Sequence, residues 1–61
     1  MDPLELAEAI RSVILETATR AYEDAGIQGL CAEGRWEAAT SAVRQLDLQT
    51  VISRPGAEAG S

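Results

Sequence analysis

From Pro3 to Ala25 the sequence holds no helix-breaking residue, and this stretch constrains the fold more than any other feature. Asp2 is a favoured N-cap, Pro3 suits the first helical position, and Glu5 completes a D-x-x-E version of the capping box. Glu5 and Glu8 add negative charge near the positive end of the helix dipole. Gly26 then offers a left-handed C′ position, with Ile27 folding back on the last turn. The spacing therefore predicts a helix over 3–25.

The apolar positions of that helix do not fit one narrow stripe. At about 100° per residue, Leu6, Ala7, Ile10, Val13, Ile14, Thr17, Ala21 and Ala25 form one face, which Leu4, Leu15, Ala18 and Tyr22 widen to roughly 200°. One short partner helix covers only part of such an arc. The expectation is a helix that packs against its own second helix and against another subunit, with Leu6, Ile10, Val13, Ile14, Thr17 and Ala21 at the oligomer interface. Heptad spacing fails because Leu6, Ile10, Val13 and Thr17 run on into Arg20 and Asp24.

Chain length points the same way. A chain of 61 residues buries only about 60% of the surface its unfolded form exposes, so small folds add disulfides, a metal or a partner. Cys31 is the only cysteine and histidine is absent, which removes an intrachain disulfide and the usual four-ligand zinc site. Association remains, and a homodimer is the expected form.

Beyond Gly26, residues 28–33 are expected to form a short turn or helix that Gly34 ends. A second helix is predicted over 35–46, with Trp36, Ala39, Ala42, Val43 and Leu46 in phase. The stretch GLCAEGRW, residues 29–36, reads as the corner of a helical hairpin, with Ile27, Leu30, Cys31, Trp36 and Val43 as its core. Past Asp47, Leu48, Val51 and Ile52 are compatible with a continued helix, a new turn or an extended segment. Pro55 ends whatever precedes it, and the composition of RPGAEAGS is that of a flexible tail. The chain thus reads as an all-α hairpin domain over 1–53 with a tail over 54–61, pairing into a bundle of the four-helix kind.

Two family resemblances sit on these residues. AYEDAGIQGLCAEGRWEAA resembles a helix-turn-helix of the TetR repressor kind, through the Ala25-Gly26-Ile27 turn between helices, and the resemblance implies DNA binding. Its recognition segment, QGLCAEG, carries no Arg or Lys for bases or phosphates. Gly34-x-Trp36-x-x-Ala39-x-x-x-Val43 resembles half of a tetratricopeptide hairpin, which implies a helical corner. A single unit falls short of the roughly three that such arrays need.

The chemistry of the side chains narrows the function. The net charge of −5 opposes direct contact with nucleic acid or an anionic membrane surface. No run reaches the ~18 apolar residues of a membrane span, and the acidic N-terminus is not a secretory signal. The unpaired cysteine fits a reducing, cytoplasmic compartment. All five basic residues are arginine, and with abundant alanine this usage fits a GC-rich bacterial genome.

Cys31 has no histidine, second cysteine or basic cluster to raise a thiolate, and reads as a small buried hydrophobe. The acids on the first helix read as a solvated face, with Glu16 and Arg20 in the favoured i,i+4 order. No nucleophile–base pair, metal set or phosphate loop is present, so the expectation is a non-enzyme without cofactor or metal. It would act as a homo-oligomeric adaptor, accessory subunit or regulator with a protein partner. The alternatives are an acidic inhibitor that occupies a partner's nucleic-acid-binding surface, and a small helix-turn-helix regulator.

Overall fold

The structure, a computed structural model, describes residues 2–52. Met1, the predicted tail and the last residue of the 1–53 domain lie outside them. The described residues are 84% helical and contain no strand. Helix α1 spans Pro3–Ile27 and helix α2 spans Ala32–Arg44. A short third helix, α3, covers 48–52. The two long helices pack against each other as a hairpin.

The start of α1 follows from its sequence. Asp2 is the N-cap in extended conformation, its carboxylate accepts from the Leu4 N–H at 3.5 Å, and its carbonyl accepts from Leu6 at 2.9 Å. Pro3 occupies the first turn, where a missing N–H costs nothing.

The end of α1 differs from expectation. The helix runs through Gly26 to Ile27, and Gly29 is the residue that turns left-handed, with φ of 93°. The Leu30 N–H donates to the Ala25 carbonyl and the Gly29 N–H to the Gly26 carbonyl, both at 3.0 Å. These are the two bonds of a Schellman motif with Gly29 at C′. Gly26 is a helical residue, and the connection is shortened to residues 28–31. The short turn or helix expected over 28–33 is a turn at 28–29 with no helix of its own, and residues 32–33 belong to α2. Instead α2 begins at Ala32 and carries Gly34 within its first turn, three residues before the predicted start.

Helix α2 ends close to the predicted position, at Arg44, with Gln45 as C-cap. The Gln45 side-chain amide donates to the Ser41 hydroxyl at 2.9 Å. Asp47 then opens a new helical turn. Its carboxylate accepts from the Gln49 N–H (3.1 Å), the Thr50 N–H (3.4 Å) and the Thr50 hydroxyl (2.7 Å), which satisfies the open donors of α3. Those bonds favour the ionised carboxylate, the Thr50 hydroxyl most, and hold its pKa below the usual value.

The seam of the hairpin is built from small residues. Ala25 and Ala39 are buried, and Val51 of α3 is the third buried apolar residue among those described. Toward the N-terminus from Ala25, residues Ala21, Thr17, Ile14 and Ile10 are half-buried at helical spacing. On α2, Arg35, Ala39 and Ala42 hold the matching phase and are half-buried or buried, and Leu46, just past the end of the helix, is half-buried. No side chain among the described residues is fully enclosed.

Candidate docking interface

The corner is closed by a residue that the sequence did not single out. Arg35 sits with its guanidinium 5.6 Å from the centre of the Tyr22 ring, a cation–π distance. Its Nε donates to the Leu30 carbonyl at 3.2 Å. A Cβ on Gly26 would stand 2.9 Å from the Arg35 Cζ, so the missing side chain leaves room for the guanidinium. A Cβ on Gly34 would meet the Leu30 side chain at 3.0 Å, so Leu30 lies directly on the bare backbone of α2. The two glycines thus provide clearance at a crossing, while Gly29 provides the reversal.

The predicted corner core is corrected accordingly. Ile27 is 84% exposed and Trp36 66% exposed, Cys31 is exposed, and Leu30 is partly exposed against Gly34. Of the five residues proposed to fill the corner, only Val43 is half-buried. The physical reason is phase. Trp36 stands roughly 60–100° from the Ala39 and Arg35 positions around α2, which places it on the shoulder of the seam and leaves the centre to Arg35 and Ala39.

Cys31 is also reassigned by position. It is the N-cap residue of α2 and makes no side-chain capping hydrogen bond. The backbone N–H groups of Gly34 and then Glu33 favour its thiolate and hold the pKa below the ordinary thiol value. The helix N-terminus supplies the stabilisation for which the sequence offered no basic side chain.

The six residues expected at an oligomer interface, Leu6, Ile10, Val13, Ile14, Thr17 and Ala21, are all half-buried within the single chain. They lie in the phase of the intramolecular seam. The wide apolar arc of α1 is therefore divided: this half is largely covered by the chain itself, while Leu4 (69% exposed), Leu15 (60%) and Tyr22 (40%) form the open half.

That open half continues onto α2. Ala18, Trp36, Ala39, Thr40, Val43 and Arg44 line one open groove of ≈ 330 Å³. Ala18, Thr19, Tyr22, Glu23, Trp36 and Ala39 line a neighbouring one. Ala18, Trp36 and Ala39 belong to both, so the two hollows form one face across the hairpin. The periodicity already contained its α1 half, in Leu15, Ala18 and Tyr22. The α2 half is hidden in the sequence because Trp36 shares helical phase with Ala39 and Val43, a pattern equally suited to the core.

Along the outer edge, Glu16, Thr19, Arg20 and Glu23 border Leu15. The described residues hold no cluster of His, Cys, Asp or Glu able to bind a metal. No helix among them is long and apolar enough to cross a membrane. No protein-family model, curated protein or solved structure matches the chain.

Proposed function

We propose that this protein works by protein–protein contact, as a self-associating helical adaptor, accessory subunit or regulator. One observation carries this reading. Among the described residues the buried apolar ones are Ala25, Ala39 and Val51, while Trp36, Leu15, Leu4 and Tyr22 stand open to solvent. Scattered exposed hydrophobes are ordinary, but large apolar side chains grouped on one face beside a seam of small buried residues suit an interaction surface.

The energetics agree. Fully burying one large apolar side chain is worth about 1.5–3 kcal/mol, whereas a buried alanine contributes far less. Association would bury a second set of large side chains and add that increment. Sedimentation equilibrium across micromolar concentrations tests the reading, together with thermal melts at the same concentrations. The expected result is a mass above that of one chain and a melting temperature that rises with concentration. A folded monomer of constant melting temperature rejects self-association.

A further inference from the structure

Resting on the self-association reading, we propose that a second copy of this chain seats on the face of Leu15, Ala18, Tyr22, Trp36 and Val43. In this arrangement the two α1 helices run antiparallel about a twofold axis at Ala18. The face has a bulky end and a hollow end. Tyr22 and Trp36 stand at one end, and Ala18, Ala39, Thr40 and Val43 floor the groove toward the other. Ala18 lies between them and belongs to both grooves.

A twofold axis at Ala18 exchanges the two ends. It sets Tyr22 of one copy opposite Leu15 of the other, and Trp36 of each over the groove floored by Ala39, Thr40 and Val43 of its mate. Two alanines meeting at the axis let the backbones approach closely. A closed twofold contact of this kind uses one patch twice and leaves no copy of it exposed.

The area fits a weak, reversible dimer. An aromatic side chain carries ~150–250 Å², and Trp36 and Tyr22 are 66% and 40% exposed. With Leu15 and the groove floor, each copy offers on the order of 400 Å², and the pair about 800 Å², within the small-interface class of weak, reversible contacts. Charge sets the salt dependence. Each chain carries −5, so two copies repel at long range, and added salt leaves the dimer unchanged or tightens it. A basic amphipathic helix on the same face would show the opposite trend.

Disulfide trapping in a Cys31→Ser background tests the arrangement. Ala18→Cys should oxidise rapidly to a covalent dimer, whereas Ser12→Cys, on the outer polar face of α1, should not. Mixed Leu15→Cys and Tyr22→Cys chains should cross-link with each other and poorly with themselves, which separates antiparallel from parallel pairing. Trp36 is the only tryptophan, so its emission should shift to the red on dilution in step with the sedimentation midpoint.

Leu15→Glu should weaken association about 100-fold, as a carboxylate buried at an apolar contact requires. Trapping at Ser12, self-pairing of Leu15→Cys, or an unmoved tryptophan in a chain that sediments as a dimer overturns this interface and leaves self-association standing. A folded monomer at all concentrations overturns both. A face filled only by a basic peptide, with affinity falling steeply in salt, assigns it to a different occupant and overturns the proposal.

Discussion

Two glycines three positions apart carry different duties at the corner. Gly29 has φ of 93° with open space around it, so Gly29→Ala suffers only from its backbone conformation. It should cost about 1 kcal/mol. Gly26→Ala would gain helix propensity of up to ~1 kcal/mol, offset by displacement of the Arg35 side-chain tip. Its net effect should be smaller than that of Gly29→Ala, and urea titration of both variants checks the order. Arg35→Ala removes the Tyr22 stacking and the Leu30 carbonyl bond together, and should cost about 1 kcal/mol. Cys31 is exposed with a lowered pKa. A thiol reagent should label it in the folded protein at least as fast as in the urea-unfolded chain. The sequence did not reveal this, because the stabilising N–H groups come from backbone geometry and not from residue type.

At the scale of the elements, the sequence disclosed the helices better than their division of labour. Asp2, Pro3 and the unbroken run after them specified the start of α1, and the arc of apolar positions held enough surface for two partners. Which half faces α2 was not legible, because that depends on where the reversal falls. Moving the reversal from Gly26 to Gly29 carries α1 two residues past the expected end, to Ile27, about half a turn, and rotates the exit of the chain. Ile10→Asp and Ile14→Asp place a charge in the seam and should unfold the hairpin, at a cost of several kcal/mol. Glu8→Gln, in a solvent-exposed pair 3.9 Å from Arg11, should be nearly silent by thermal melt.

Asp47 sets the third element. Because its pKa is lowered in the folded chain, the cap is at full strength above the ordinary carboxylate value of 3.8 and fades as the pH falls through and below it. Asp47→Asn should keep α3 and lose that pH dependence, whereas Asp47→Ala should lose the helical Cα shifts of residues 48–52 in an NMR spectrum.

On the scale of the whole molecule, stability per residue is typically ~0.05–0.15 kcal/mol, which leaves a chain of this size only a few kcal/mol. Ala39→Glu, at a position 5% exposed, should exceed that margin and abolish the cooperative melt. The two long helices also differ in length: α1 has 25 residues and α2 has 13. At ~1.5 Å per residue they measure about 37 Å and 20 Å, so α2 alone spans little more than half of α1. Time therefore has a direction along this chain. Amide hydrogens in the first two turns of α1, where Leu4 is 69% exposed, should exchange fastest, and those near Ala21 and Ala25 slowest. Opening begins at the N-terminal turns of α1 and travels toward the corner.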